Sequence, residues 1–174
     1  IMPSLVGSEM CIRDRIADGT CQHGMRGGTL NTAALIGLST ACEEAKENFD
    51  HVVMETVRLK TKLEEGIVNG VRGAKILFGT LDRLPHVTAL SFPGVHFELL
   101  AFHLKEQGVY GSFGGGRLQN LEPLLCSMRL APYEAKCSLS FSLSYLTTEA
   151  EVDRAIGIIV DIAQKCQTLS QVIV

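Results

Sequence analysis

The segment KCSLSFSLS, residues 136–144, constrains the fold more than any other part of this chain. Apolar residues alternate strictly with serines along it. The apolar set is Cys137, Leu139, Phe141 and Leu143, and the serine set is Ser138, Ser140, Ser142 and Ser144. Because successive side chains of a strand point to opposite faces, the pattern predicts a strand with one apolar and one serine face. Such a strand needs neighbouring strands and an apolar layer over one face.

The residues that follow predict the covering layer. Thr148 and Glu151 have the spacing of a capping box, in which each side chain bonds the other residue's backbone N–H at a helix start. Apolar residues then recur every three or four positions, as on one face of a helix: Val152, Ala155, Ile156, Ile159, Ala163 and Cys166. We predict a final amphipathic helix of about 18 residues.

A long helical arm is predicted in the first half of the chain. Asn31 is a suitable N-cap, and one apolar face follows it. That face comprises Ala34, Leu35, Leu38, Ala41, Cys42 and Ala45. A second periodic run ends at Asn69-Gly70 and comprises Val53, Val57, Leu59, Leu63 and Ile67. The arm is either one helix or two, with residues 48–50 as the candidate break.

Between the arm and the alternating strand, the spacing of apolar residues changes from that of a helix to that of short strands, and then back to that of a helix. KILFG (residues 75–79) and HVTALSF (residues 86–92) are bounded by turn formers and predict short strands. A helical stripe then begins at Phe97 and ends at Gln107-Gly108, where glycine suits a helix C-cap. The order of elements favours an α/β or α+β layer, with helices packed on a small mixed sheet.

The composition excludes several classes of function. A length of 174 residues with 46% hydrophobic and 20% charged residues is typical of one globular domain. A net charge of -3 and short apolar runs favour neither nucleic acid nor a membrane. The six cysteines show no metal-ligand spacing, so we expect no metal. No segment has the pattern of a secretory leader, which leads us to expect a cytoplasmic protein with free thiols.

The first residues do not read as part of a fold. Residues 1–15 contain PSLVGSEMCIRDR, which has neither a helical nor a strand period. The stretch resembles translated sequencing adapter, so we expect residues 1–15 to be non-native and set them aside. The native sequence would then begin near Ile16 as a piece of a longer protein.

Two glycine-rich segments are candidates for anion binding. In GVYGSFGGGRLQNLEP, residues 108–123, glycines would let backbone N–H groups approach a phosphate, with Arg117 adding charge. The spacing matches neither a dinucleotide fingerprint nor a P-loop, so a plain surface loop is the alternative. In GMRGGTLN, residues 24–31, the Thr29 hydroxyl precedes a helix start and could bind a phosphate. The alternative is that Thr29 and Asn31 only cap the helix and that Arg26 is a solvated charge.

Other reactive residue types give weaker indications. The five histidines show no metal spacing and no evident carboxylate partner. Cys126 and Cys137 are interpreted as small buried apolar residues, and Cys126, with Arg129 nearby, is the one arguable reactive thiol.

From about Gly19 to Gln167 the chain resembles the C-terminal part of a cysteine desulfurase, a class V aminotransferase-like enzyme that uses pyridoxal phosphate. Three landmarks carry the resemblance in the family's order: GMRGGTL, HVTALSFPGVHFELLAFHLKEQGVYGSFGGG and SLSFSLSYLTTEAEVDRAI. They resemble, respectively, the family's R-x-G-T segment, the segment leading to its catalytic loop, and its S-x-R-F-S-L-G…T-T-x-E-E-I-D block.

The resemblance implies the C-terminal portion of a type I aminotransferase fold and a homodimer. Residues 16–48 would end the large-domain region and start the long helix, and residues 49–174 would form the small domain. Thr29, with Gly28 and Arg26 beside it, would lie where the family's threonine reaches the cofactor phosphate of the partner subunit. The lysine that binds pyridoxal phosphate covalently would lie upstream of this chain, so the chain alone would be inactive.

Two departures from the family's pattern bear on activity. In SFGGGR the position of the family's nucleophilic loop cysteine falls on Arg117, and a guanidinium cannot act as that nucleophile. The family's substrate-carboxylate arginine falls on Ser140, which offers one neutral hydrogen bond instead of a bidentate charged pair. No catalytic residue is therefore matched. The remaining loop and substrate candidates are Ser112, Gly114, Gly115, Gly116 and Arg117.

Three interpretations of the function follow from these departures. The first is a cysteine desulfurase-like protein that supplies sulfur for iron–sulfur clusters, together with a sulfur-acceptor or scaffold protein. The second is a class V aminotransferase or lyase with another small amino-acid substrate, whose carboxylate Arg117 binds in place of position 140. The third is a catalytically silent relative that dimerises or binds a partner. Rescue of the lost nucleophile by Cys126 is a further alternative.

Overall fold

The computed structural model of the protein describes His23, residues 27–114 and residues 120–172, with side chains to residue 169. Five helices and three strands lie in this part of the chain. In order they are α1 (Thr32–Gly70), β1 (Lys75–Ile76), β2 (Val87–Ser91), α2 (Phe97–Glu106), α3 (Leu121–Ser127), α4 (Pro132–Ala135), β3 (Ser138–Ser142) and α5 (Glu149–Val172). The chain divides into two units, Ile1–Glu47 and Asn48–Val174.

The long helix α1 is continuous, and no break occurs at residues 48–50. Asn31 caps its start: the Asn31 Oδ1 accepts a hydrogen bond from the Ala34 N–H at 3.1 Å, and the Asn31 carbonyl accepts one from Leu35 at 3.0 Å. The predicted N-cap is therefore confirmed. The apolar face predicted for residues 34–45 is helical but exposed, with Leu38 60% accessible. The spacing of apolar residues in the sequence predicts an apolar helical face, but it does not show what packs against that face.

The sheet has three strands in the order β1-β2-β3. Both pairings are antiparallel: Lys75 pairs with Ser91 in the first, and Ala89 with Ser140 in the second. The prediction of a mixed sheet is wrong for the described residues, since each connection reverses the chain. β1 is also shorter than KILFG suggests, because residues 77–80 turn and Phe78 adopts a positive φ of 54°.

The main core lies between this sheet and helices α1, α2 and α5. Leu59, Leu63 and Ile67 of α1 are buried, as the second periodic run predicts, and so are Val152, Ile159 and Ala163 of α5. Other fully buried side chains of this core include Phe92, Leu90, Leu100, Leu104 and Leu139. α5 covers 24 residues, more than the predicted 18 or so, and starts at the predicted capping box: Glu151 Oε2 accepts from the Thr148 N–H at 2.8 Å.

The serine face of β3 is only partly solvent-exposed. Ser142 is exposed, but Ser138 is 1% accessible and donates a hydrogen bond to the Glu134 carbonyl at 2.6 Å. A second small core, with Leu125 and Ala135 at its centre, lies beside that end of the sheet. The strand prediction is therefore confirmed, and the serine face is buried at Ser138. Helices as short as α3 and α4 have too few residues to show a periodic pattern, so the sequence does not predict that they pack beside Ser138.

A buried polar cluster fixes α1 to the segment before β2. The Glu64 carboxylate accepts hydrogen bonds from both terminal nitrogens of Arg83, at 2.6 and 3.2 Å, and from the Thr88 hydroxyl at 2.5 Å. Lys60, also buried, donates to the Leu84 carbonyl at 3.0 Å. Burial alone would raise the pKa of Glu64, but these hydrogen bonds outweigh it and hold the pKa below its usual value.

Candidate functional site

The glycine-rich segment begins where α2 ends. Gly108 has a φ of 78°, its N–H donates to the Lys105 carbonyl at 3.1 Å, and the Val109 N–H donates to the Leu104 carbonyl at 2.9 Å. This is the Schellman arrangement, in which glycine takes the left-handed position after a helix. The predicted C-cap at Gln107-Gly108 is confirmed, and it turns the chain back toward the sheet.

From Val109 to Gly114 the chain continues as an extended edge beside β3. Half-buried and exposed residues alternate along it, and Gly111 belongs to the half-buried set. A Cβ at Gly111 would lie 3.1 Å from Phe141 Cε1 and 3.3 Å from Leu139 Cδ1. Gly111 therefore lets the chain pass closer to the sheet than a residue with a side chain could.

Ser112 and Ser140 pair through their backbones and through one side chain. Each N–H donates to the other's carbonyl at 2.8 Å, which forms an antiparallel bridge. The Ser140 hydroxyl adds a third bond to the Ser112 carbonyl at 3.0 Å. Ser112 is exposed and Ser140 is half-buried.

A second bridge closes the base of the loop. Gly114 pairs with Asn120, and the Leu121 N–H donates to the Phe113 carbonyl at 2.8 Å. The Ser112 hydroxyl accepts from the Gly114 N–H at 3.2 Å. We call Gly111–Gly114 with Asn120 the loop base. Of the candidate residues, Ser112, Gly114 and Ser140 are brought together here, whereas Gly115, Gly116 and Arg117 lie outside the described residues.

Sequence reasoning missed the strand-like character of the loop base and the part played by Gly111 and Asn120. The signal is present in VYGSF, where Val109, Gly111 and Phe113 alternate with Tyr110 and Ser112. Because glycine occupies the middle position of the set Val109, Gly111 and Phe113, the apolar alternation is interrupted, and the sequence predicts a loop instead of a sheet edge.

Two open cavities share Tyr110, the residue that precedes the loop base. One, of about 380 Å³, lies between the end of α2, the end of β3 and α5, with Phe141 in its wall and the charged Glu151 and Arg154 among its lining residues. The other, of about 390 Å³, lies against α2 and includes Phe102 and Lys105. Tyr110, which is 74% exposed, contributes to both. A small polar ligand beside the loop base would therefore meet both apolar and charged groups.

The second glycine-rich segment is described from Gly27 onward, so Arg26 lies outside the described residues. Gly28 has a φ of 85°, and Thr29 is exposed two residues before the Asn31 cap. Because Asn31 provides the side-chain cap, Thr29 is not needed for that task. A hydroxyl exposed before a helix start is a suitable donor for a phosphate.

Several other reactive side chains are held by packing or by local contacts. Cys126 lies on α3 and packs in the second core, so its predicted burial is only partial. Burial raises the pKa of the Cys137 and Cys166 thiols, which makes them poor nucleophiles. His103 does have a carboxylate neighbour, with Nδ1 3.2 Å from Glu106 Oε2.

No group of three or more histidine, cysteine or acidic side chains lies close enough to hold a metal ion within residues 27–114 and 120–169 or at His23. None of the helices described in the structure has the length and apolarity needed to span a membrane.

Comparison with known proteins shows which family the chain resembles. The family model for aminotransferase class-V matches residues 1–155. The match includes residues 1–15, so it gives no support for setting that segment aside. The cysteine desulfurase NifS of Azotobacter vinelandii is 32% identical over 161 residues, which cover 91% of this chain and 40% of that protein. The cysteine desulfurase of Cereibacter sphaeroides is 32% identical over 158 residues, which cover 89% and 40%.

Solved structures agree on the fold. A NifS-like protein superposes with a TM-score of 0.71 at 29% identity, over 86% of this chain and 38% of that one. A NifS-like protein from Rickettsia africae gives a TM-score of 0.70 at 22% identity, over 86% and 39%, and bears on the fold alone. The described part is thus an α/β fragment similar to NifS-like proteins, and the chain spans about two fifths of the length of the curated relatives it matches.

Proposed function

Because this chain belongs to the aminotransferase class-V family, we propose that it is the C-terminal part of a pyridoxal phosphate-dependent, cysteine desulfurase-like protein. In this proposal the full-length protein is a cytoplasmic homodimer that acts on a small amino acid. The relatives that match are cysteine desulfurases, which supports sulfur transfer from L-cysteine as the first activity to test.

The observation that carries the proposal is the fixed base of the glycine loop. Ser112 is bridged to Ser140, so two of the three landmark segments meet at one point of the sheet. A catalytic loop needs a rigid root, because a reacting group must be held within a fraction of an ångström of its productive position. Hydrogen bonds connect the loop base both to β3 and to the start of α3, which supports such a role.

Thr29 is the residue of this chain best suited to the cofactor. Its exposed hydroxyl, preceded by Gly28 in a left-handed conformation, fits a phosphate group. We assign Thr29, with Gly28 and Arg26 beside it, to the phosphate of the cofactor held by the partner subunit. Pyridoxal phosphate, when bound, supplies the electron sink for the chemistry. The lysine that holds it would come from a part of the protein upstream of this chain.

The test is made on the full-length homodimer with pyridoxal phosphate. Alanine release from L-cysteine, with sulfide released only when a thiol reductant is added to reduce the transferred sulfur, would support desulfuration. Thr29→Ala should weaken retention of the cofactor, measured by its absorbance after dialysis, because one phosphate donor is lost. Thr32→Ala, three residues further along, is the control. Equal cofactor retention by both variants would contradict the assignment of Thr29.

A different amino-acid substrate is the second candidate, and the residue at position 140 favours it. A serine there cannot provide the bidentate charged pair that an arginine provides to a carboxylate. Arg117, outside the described residues but attached to the loop base, would then bind the carboxylate. Arg117→Ala should raise the KM for the accepted amino acid steeply, and an unchanged KM would exclude this role.

The non-enzymatic alternative is a silent relative that dimerises or binds a partner such as a sulfur-acceptor or scaffold protein. It rests on the assignment of Arg117 to the nucleophile position. This alternative predicts no cofactor-dependent turnover of any amino acid, together with normal dimerisation in sedimentation experiments. Alanine release from L-cysteine would rule it out.

A further inference from the structure

One backbone carbonyl in the loop base accepts two hydrogen bonds from a single residue. The Ser112 carbonyl accepts from the Ser140 N–H at 2.8 Å and from the Ser140 hydroxyl at 3.0 Å. The Ser112 N–H returns a bond to the Ser140 carbonyl at 2.8 Å. Ser140 therefore uses both its backbone and its side chain on the same neighbour.

This contact decides what the Ser140 hydroxyl can do for a substrate. A serine hydroxyl has one proton to donate, and an ionised carboxylate only accepts hydrogen bonds. Since the proton of Ser140 is directed to the Ser112 carbonyl, the hydroxyl cannot also donate to a carboxylate. It could bind one only by releasing Ser112.

Further contacts extend from Ser112 along the loop base. Its hydroxyl accepts from the Gly114 N–H at 3.2 Å, and the next carbonyl, that of Phe113, accepts from Leu121 at 2.8 Å. A change at Ser140 should therefore affect the two chain segments that enter the loop at Gly114 and leave it at Asn120. The exposed Ser142, two residues along the same strand and on the same face, is a matched position for comparison.

We propose that Ser140 is a positioning residue: its hydroxyl fixes Ser112, and with it the base of the glycine loop, on β3, and it does not bind the substrate carboxylate. The proposal rests on the proposed function in so far as the loop takes part in catalysis. The contact itself requires neither cofactor nor substrate, so it is tested separately from turnover.

The first test is residue-resolved amide hydrogen exchange on the 174-residue chain, with α2 and α5 amides as internal references. Ser140→Ala should speed exchange at Ser112 and Gly114 roughly three- to tenfold, because one net hydrogen bond is lost from a local opening equilibrium. Ser140→Thr keeps a hydroxyl and suits a strand, so it should restore protection. Ser142→Ala should leave both amides unchanged.

Two results of that experiment would overturn the proposal. One is unchanged exchange at Ser112 and Gly114 in Ser140→Ala. The other is exchange in Ser140→Thr as fast as in Ser140→Ala, which would show that the hydroxyl is not the cause.

A second readout separates positioning from substrate binding in the full-length protein. If Ser140 positions the loop, Ser140→Ala lowers kcat and leaves the KM for the amino acid unchanged. If it binds the substrate, KM rises with kcat unchanged, and the proposal fails. A protein without turnover would contradict the proposed enzymatic function alone, and the exchange experiment would still decide the role of Ser140.

Discussion

Two regions of this protein are held together in different ways. We call α1 from Asn48 onward, with α5, the scaffold; it is fixed to the sheet by close apolar packing and by the buried cluster around Glu64. The loop base is held by hydrogen bonds, three of them between Ser112 and Ser140, and the one from the Ser140 hydroxyl is exposed to solvent. Of its residues, Phe113 packs half-buried against the core. A solvent-exposed hydrogen bond contributes little net free energy, because water competes for the same groups.

The difference predicts that the scaffold is the more stable region and that the loop base opens more readily. Local opening free energies range from near zero at exposed segments to the global value in a core, and functional loops come from the low end. We therefore expect perturbations of the scaffold to lower global stability. Perturbations of the loop base should change local opening and leave the rest of the fold intact.

The largest effect is expected at Glu64. Glu64→Ala removes the carboxylate that Arg83 and Thr88 share, and it leaves the mostly buried guanidinium without its charged partner. Breaking a buried pair in this way should lower the free energy of unfolding by about 3 kcal/mol. Urea unfolding with the m-value checked would measure it.

Glu65→Ala is the matched control, because Glu65 is the next residue of α1 and is exposed. It should change the free energy of unfolding by less than about 0.5 kcal/mol. Equal effects of the two substitutions would mean that the Glu64 cluster does not fix the scaffold.

The next effect concerns two helical glycines with opposite expectations. A Cβ at Gly66 would lie 2.8 Å from two carbons of Ile156, whereas a Cβ at Gly157 meets nothing within 4 Å. Gly66→Ala should therefore destabilise the protein by about 1–3 kcal/mol through overpacking. Gly157→Ala should stabilise it by up to about 1 kcal/mol, because alanine favours helix.

Thermal unfolding of the two glycine variants side by side tests how tightly α1 and α5 pack. Because both substitutions add the same methyl group to a helix, the difference between their effects isolates the interhelical contact. Stabilisation by both would contradict close packing at Gly66.

Elements with strong local signals were predictable from the sequence. Asn31, the Thr148 and Glu151 capping box and the alternation of β3 each act within a few residues, and the structure confirms all three. The burial of Ser138 was not predictable, because it depends on the short helices α3 and α4 that pack beside it. The antiparallel pairing of the sheet was not predictable either. Pairing direction depends on how the strands are connected, which residue propensities do not encode.

The candidate site, too, has features that were predictable from the sequence and features that were not. The resemblance suggested that the glycine loop and position 140 belong to one site, and the structure pairs Ser112 with Ser140. That the Ser140 hydroxyl donates to a backbone carbonyl could not be predicted from residue types, because it depends on how close the loop base lies to β3 in the folded chain. The role of Arg117 stays a prediction.

A smaller effect is expected at the loop base itself. Gly111→Ala would place a Cβ 3.1 Å from the Phe141 ring and push the extended edge off the sheet by a few tenths of an ångström. Exchange at the Ser112 amide should rise, with a global loss of about 1 kcal/mol or less. Gly79→Ala is the control, because its Cβ would have an ordinary contact of 3.6 Å with Ile76. A global loss as large as that of Glu64→Ala would erase the distinction between the two regions.

The smallest effect should come from an exposed ion pair on the scaffold. Hydrogen bonds from Arg58, then from Lys62, lower the pKa of the exposed Glu149 to about 2. Since the pKa is lower in the folded state, the unfolded chain takes up this proton first as the pH falls. The contribution of Glu149 is complete above its unfolded pKa of about 4.3 and is lost as the pH falls toward 2.

Glu149→Gln tests this pH dependence against the buried cluster. The stability difference between the wild type and this variant should be small at neutral pH, shrink between about pH 5 and pH 2, and decrease at high salt. The effect of Glu64→Ala should resist salt, because buried pairs are screened much less. If salt reduced both effects equally, the Glu64 cluster would be as accessible to solvent as the exposed pair, and the scaffold would lack the protected polar contact that distinguishes it from the loop base.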